Sequence, residues 1–266
     1  MTPLPSKAGC QRGFTLVELL MVIAIVAVLA ALVLTAVSGV RGRSQQIQCL
    51  NNVRQLGLGL SGFVSQYGAY PLQVSSSVDR SLYPEHGNTW LSSISLEAGV
   101  PLGGAPGQTG IKLSTGIWDC PSASKPTSWG PKQLYIDYGY NAHGLGVGAV
   151  GLGLGGQFTG PESVQPVKES EIVAPSSTFA LGDSLWGRGQ LIADGGAFGR
   201  GNSTGPLPDT VSTKRSERRH ADKATVGFCD GHTEAVPLQS LFAEESDAAL
   251  SRWNRDHQPH RDRLTR

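Results

Sequence analysis

Gly13-Phe14-Thr15-Leu16-Val17-Glu18, followed by LLMVIAIVAVLAALVLTAV from Leu19 to Val37, is the stretch on which the fold of this 266-residue chain turns. No charged side chain occurs from Leu19 to about Val40. An α-helix rises ~1.5 Å per residue, so roughly 20 such residues cross a ~30 Å hydrocarbon core. Lys7 and Arg12 precede the run, and Arg41 and Arg43 follow it. A secretory signal has a shorter apolar region that ends at a small-residue cleavage site. Here the apolar run passes straight through Ala27, Ala30 and Ala31, which argues against a cut there. Glu18 argues against a plain anchor. A carboxylate deep in a lipid-spanning helix costs on the order of 2.5–3.5 kcal/mol, and less near the interface. Such a group is read as functional once a positive partner can be named.

Past Val40 the pattern becomes amphipathic. Ile47, Leu50, Val53, Leu56, Leu60, Phe63 and Tyr67 recur at three- and four-residue spacing, with Gln, Asn and Arg between them. The spacing predicts one helix from Phe14 to about Tyr67, about 80 Å long. Gly57, Gly59 and Gly62 each cost up to ~1 kcal/mol against Ala, so they mark a bend or a close approach. Gly68 fits a C-terminal cap and Pro71 ends the segment.

Composition bounds the remainder. With 22 basic and 21 acidic residues there is no global field, and no nucleic-acid partner is expected. Gly at 35 and Pro at 16, with few aromatics, suggest a turn-rich β domain. The run from Gly144 to Gly156 contains G-x-G-x-x-G, but more glycine and then Pro161 follow in place of a helix. It reads as a flexible loop and not as a nucleotide site. No G-x-S-x-G elbow supports a hydrolase. Residues 241–266 are charged and read as a solvated extension.

Phe179 to Asp183 reads as a short strand. Ala224 to Cys229 alternates, reaches Asp230-Gly231 and resumes at His232 to Val236, a hairpin signal with a two-residue Asp-Gly turn. His220, Asp222, Asp230 and His232 could ligate a metal. Two imidazoles suit a transition metal better than the oxygen shell of calcium. The expectation is a turn aspartate and a backbone-bonded histidine, with no metal.

The segment Gly13 to Glu18 resembles the type III signal sequence of type IV pilins and type II secretion pseudopilins. The resemblance implies an α+β pilin fold, in which a long helix packs on an antiparallel sheet. It also implies that prepilin peptidase cuts between Gly13 and Phe14 and methylates the new amine of Phe14. Glu18, then the fifth residue, would pair with the Phe14 amine of a neighbouring subunit. Such an ion pair adds little stability but can fix register. The implied organisation is a leader at 1–13, a helix at 14–68 (14–40 in the membrane), a globular domain at 69–240 and the tail at 241–266. The implied partners are further copies of this chain, other pilin-like subunits, prepilin peptidase, an inner-membrane assembly platform and the membrane itself. The domain would face the periplasm from a single inner-membrane pass, and the chain would be a structural subunit, not an enzyme.

His220, nine intervening residues and Asp230-Gly231 resemble a C-terminal motif of pilin-like proteins of the planctomycete type. Cys49-Leu50-Asn51-Asn52, Cys120-Pro121-Ser122, Tyr138-Gly139-Tyr140-Asn141 and Gly182-Asp183-Ser184 resemble other parts of the same relatives. Calcium occurs in some related pseudopilins. Four cysteines form no C-x-x-C pair. Cys10 would leave with the leader, and in a periplasm Cys49–Cys120 and Cys120–Cys229 are both open pairings. Two rival readings stand beside the filament subunit. One is an uncut membrane-anchored binding module, and the other a metal-dependent periplasmic enzyme using His220 and Asp230.

Overall fold

The computed structural model describes residues 15–73, 89–100, 116–123, 137–145, 151–160, 163–183, 220, 222–242 and 244–264. The chain divides into two compact units, Met1–Arg43 and Ser44–Arg266. Helix α1, Leu16–Tyr67, contributes its first part to one unit and its second part to the other.

In the first unit, Leu16–Val33 has a mean hydropathy of 3.0 and none of it is buried against protein. Leu20, Ile23, Val26 and Leu29 all stand open. A continuous apolar surface of this size marks a membrane or a partner.

In the second unit α1 becomes one-sided. Cys49, Val53, Leu56, Leu60, Phe63 and Val64 are buried, while Arg54, Gln55, Leu58 and Ser61 are exposed. That is the three-four spacing of a helix lying on a core. The core joins all of these but Phe63 to Trp90, Trp118, Tyr138, Tyr140 and Leu181, and Phe63 clusters with Leu72 and Val164. Gly68 closes α1 in the left-handed conformation, at φ 65°, and its N–H donates to Val64 O at 2.7 Å.

Four strands form the main sheet: β1 (Tyr138–Tyr140), β4 (Phe179–Asp183), β5 (Lys223–Phe228) and β6 (Thr233–Pro237). Their order is β1-β4-β5-β6, and each neighbouring pair is antiparallel. Strands β2 (Gln157–Gly160) and β3 (Ser163–Gln165) pair separately. Alternation on β5 gives the sheet two covered faces. A Cβ on Gly227 would meet Val53 of α1 at 3.1 Å, while Ala224, Val226 and Phe228 enter a second cluster with Leu241, Leu250 and Trp253. The long helix and the four-stranded antiparallel sheet make an α+β architecture consistent with the pilin fold.

Three features differ from the sequence expectations. The Asp-Gly hairpin exists, but Gly231 N–H donates to Phe228 O and Phe228 N–H to His232 O, both at 3.0 Å. The loop is therefore Cys229-Asp230-Gly231, a type I turn that needs left-handed backbone only at Gly231, at φ 89°. The described glycines of the 144–156 run are packed, not loose. A Cβ on Gly153 would lie 2.6 Å from Asn141 O, and one on Gly155 2.6 Å from Ala142 Cβ. The tail is no solvated extension over its described length, because Leu241, Leu250, Trp253 and Asn254 are fully buried. They cover the sheet face that α1 leaves free.

The helical glycines also find their reason. Helix α2 (Trp90–Glu97) is capped by Thr89, whose side chain accepts from Ser92 N–H. Its C-terminal end crosses α1 so closely that a Cβ on Gly59 would sit 2.8 Å from Ile94 O. The crossing makes Gly59 and Gly62 points of close approach to α2, whereas Gly57 has only Gly231 O at 3.9 Å.

Candidate functional site

At the start of α1, Thr15 and Glu18 bind each other. The Thr15 N–H and hydroxyl both donate to Glu18 Oε2 at 2.9 Å, and Glu18 N–H donates to Thr15 Oγ1 at 3.3 Å. This is a capping box, threonine with glutamate three residues later, and the carboxylate also sits at the positive end of the helix dipole. The T-x-x-E spacing was visible in the sequence, where Glu18 was assigned only to assembly. The carboxylate of the isolated chain is thus already satisfied, and any outside cation must displace Thr15. Gly13 and Phe14 lie outside the described residues.

A second convergence lies within the domain. Cys49 comes from α1, Cys120 follows the 3-10 turn Gly116–Trp118, Asp183 ends β4, and His220 precedes β5. Cys49 and Cys120 form a disulfide with Cα atoms 5.4 Å apart. His220 Nε2 lies 3.5 Å from Cys120 Sγ and 3.5 Å from Asp183 Oδ2. Both side chains are shut from solvent, at 1% and 0% exposure. Thr225 N–H donates to Asp183 Oδ2 at 2.7 Å, and Cys120 N–H to Asp137 Oδ2 at 2.9 Å. Asn52, one turn along α1 from Cys49, donates to Asp119 O at 2.9 Å and lies 3.2 Å from Tyr138 Oη. His220 and Asp222 take left-handed backbone, at φ 57° and 63°. Non-glycine residues held so cost of order 1–3 kcal/mol and recur at functional sites.

The ten-residue step from His220 to Asp230 is the length of β5. A six-residue strand spans roughly 20 Å, so the two residues stand at opposite ends of it. Asp230 is a turn residue. Its Oδ1 accepts His232 N–H at 3.1 Å and lies 2.6 Å from His232 Nδ1. The His232 ring stacks on Phe228 with centroids 4.0 Å apart. Among the described residues, Cys49, Cys120 and His220 bring metal-ligating atoms within 4.8 Å of one another, and Asp222, Asp230 and His232 are not in that group. His220 Nε2 faces sulfur and carboxylate.

Cys229 carries a free, half-buried thiol hydrogen-bonded to the Tyr70 hydroxyl. Burial pushes this thiol up to about 12, against the opposing effect of the Tyr70 bond, and Asp230 adds to the rise. Burial, with Cys229 beside it, raises Tyr70 as well. Both therefore stay neutral at physiological pH.

No curated protein and no solved structure matches the chain. Residues 9–34 match the family model described as the prokaryotic N-terminal methylation motif. The exposed apolar helix with a glutamate at its start, and the antiparallel domain beyond it, thus belong to a chain that carries the N-terminal processing motif of type IV pilin-like proteins.

Proposed function

We propose that the chain is a structural subunit of an envelope filament, a type II secretion pseudopilus or a related type IV pilus. Prepilin peptidase cuts after Gly13 and methylates Phe14, and an inner-membrane assembly platform draws the subunit from the membrane. The observation that carries the reading is the placement of Glu18 within the matched motif, at the head of an apolar helix with no protein cover. Lipid covers that helix before assembly, and the helices of neighbouring subunits cover it afterwards. Glu18 then exchanges its Thr15 donors for the methylated amine of Phe14 on the next subunit. The exchange is close to neutral in hydrogen bonds, so its value is register and not strength. The domain faces the periplasm, a compartment that permits the Cys49–Cys120 disulfide.

Mass spectrometry of the protein isolated from envelopes tests this directly. The expected N-terminus is N-methyl-Phe14, and Gly13→Leu should leave a full-length precursor in the membrane. A mature chain that still begins at Met1, or starts beyond Ala30, would overturn the proposal and favour an anchored, non-polymerising domain.

A further inference from the structure

We propose that His220 is the general base that closes the Cys49–Cys120 disulfide, taking the Cys120 proton during exchange with a disulfide donor, and that Asp183 positions it. The chain is its own substrate, and its co-reactant is an exchangeable disulfide of the kind an oxidising compartment supplies. The step stands apart from filament assembly.

A disulfide that only braces a domain needs no acid–base group beside its sulfurs, yet this one has a built pair. His220 Nε2 lies 3.5 Å from Cys120 Sγ, within reach of a hydrogen bond from a thiol, and the same atom lies 3.5 Å from Asp183 Oδ2. The His220 and Asp183 side chains are shut from solvent, and both cysteines are fully buried. In such surroundings a protonated imidazole holds a neighbouring sulfur as thiolate, and a carboxylate on the other side of that proton supports the imidazolium. The parts come from separate elements. Asp183 ends β4 and is fixed by Thr225 N–H of β5 at 2.7 Å. Asp137, which precedes β1, accepts Cys120 N–H at 2.9 Å and fixes the backbone that carries the sulfur. His220 is kept in left-handed backbone at φ 57°, a setting that recurs where a side chain has to be aimed.

The step balances as thiol–disulfide exchange. The Cys49 thiolate attacks one sulfur of a donor R–S–S–R, a Cys49–S–S–R bond forms, and RS⁻ leaves and takes up the proton that Cys49 lost. The turn that carries Cys120 then docks on α1 and brings the second thiol to His220. Nε2 takes its proton, the thiolate attacks Cys49 Sγ, and the Cys49–Cys120 bond forms as the bond to R–S breaks. The second RS⁻ leaves with the proton that His220 gives back. Two cysteine thiols have lost two electrons and two protons, and one donor disulfide has become two thiols. An ordinary cysteine, with a pKa of about 8.5, is about 3% thiolate at pH 7, so full ionisation speeds closure by at most about thirtyfold. A stabilised thiolate is a weaker nucleophile, which leaves a net gain of about tenfold.

The test uses the full chain in detergent, with Cys10→Ser and Cys229→Ser so that the two site thiols are the only ones. The chain is reduced with a phosphine, freed of it, and mixed at pH 7 with one equivalent of dithiobis(nitrobenzoate), whose released thiolate is coloured. The first release reports attack on the donor, and the second reports ring closure. His220→Ala and His220→Gln should leave the first within about threefold and slow the second about tenfold. Asp183→Asn should slow the second severalfold. At pH 9, where an ordinary thiol ionises unaided, these deficits should disappear, which a loss of packing alone would not achieve. Equal closing rates of the parent and both His220 variants at pH 7 would overturn the proposal, and so would a deficit of the same size at pH 9.

Discussion

Three glycines of α1 read alike in the sequence, and the structure predicts that alanine will act differently at each. A helical Gly→Ala change gains about 0.5–1 kcal/mol from backbone entropy where space allows. At Gly57 the new Cβ would meet only Gly231 O at 3.9 Å, an ordinary contact, so the full gain should appear. At Gly62 the nearest atom is Glu97 Oε2 at 3.1 Å, the far end of a side chain that can swing, and the net change should stay within about 0.5 kcal/mol of zero. Gly59 is the critical case. Its Cβ would lie 2.8 Å from Ile94 O, 3.1 Å from Ala98 Cβ and 3.2 Å from Ala98 N. Two of these are backbone atoms of the end of α2 and its cap, so α2 itself must retreat by about half an ångström. That retreat pulls on Trp90, Leu91 and Ile94, all buried in the core. Overpacking costs typically 1–3 kcal/mol, so after the helical gain Gly59→Ala should lose about 1 kcal/mol. Gly57→Ala and Gly59→Ala should then differ by about 2 kcal/mol, roughly a thirtyfold change in the unfolding constant. Urea unfolding of the detergent-solubilised chain, followed by tryptophan fluorescence, measures this, because Trp90, Trp118 and Trp253 lie in the cores. A Gly59→Ala variant as stable as the parent would show that the α1–α2 crossing is looser than described.

Other expectations follow from the same contacts. Glu18→Ala should be processed normally but enter filaments poorly, as judged by shearing and immunoblotting, and wild-type incorporation would refute the register argument. It should also cost up to about 1–2 kcal/mol of helix-start stability through the lost cap, visible as faster amide exchange in the first turn. Asn141 donates to Phe179 O and Trp253 O at 2.7 and 2.9 Å and accepts Gly144 N–H at 3.0 Å, so Asn141→Ala should destabilise by about 3–5 kcal/mol in urea titration, and a loss under 1 kcal/mol would contradict the network. Cys229, at about 12, should react with iodoacetamide at pH 8 two to three orders of magnitude more slowly in the folded chain than in urea, and rates within tenfold would refute its burial. Because the folded thiol titrates above its ordinary value of about 9, the unfolded chain releases the proton first as pH rises. The thiol's contribution is therefore intact below about pH 9 and lost toward pH 12, at most about 1.4 kcal/mol per pH unit. A Cys229→Ala chain should show a shallower alkaline decline.

What was legible in the sequence was written in local pattern. The apolar run, the amphipathic continuation and the Gly68 stop define α1, and the alternation on both sides of Asp230-Gly231 defines β5 and β6. The tail was misread because charge stood for solvation. Arg255 donates to Gly151 O at 2.9 Å, and the Arg252 guanidinium lies 4.5 Å from the centroid of the Phe179 ring. Those cations belong to the packing of the very segments they were judged apart from, with Trp253 between them. The glycine run failed for the same reason. Glycine signals freedom when nothing is known of its neighbours, and tight packing when Asn141 and Ala142 press against it. Neither neighbour relation is local in sequence.

The buried node shows what such non-locality hides. Four short motifs that looked like separate family marks form one chain of contacts: Cys49 is joined to Cys120 as a disulfide, and His220 Nε2 lies 3.5 Å from both Cys120 Sγ and Asp183 Oδ2. Their own neighbours hold them there. Asn52 bridges to Asp119 O and the Tyr138 hydroxyl, and Thr225 N–H fixes Asp183. The node lies in the Ser44–Arg266 unit, whereas the methylation motif lies in Met1–Arg43. Sites without shared partners act additively. Changes at the node should therefore alter the stability of the domain without altering cleavage after Gly13, and changes at Glu18 should alter assembly without altering the thiol chemistry. A node variant that stays folded but blocks processing would mean that the two units do not act separately, and that processing reads the domain as well as the leader.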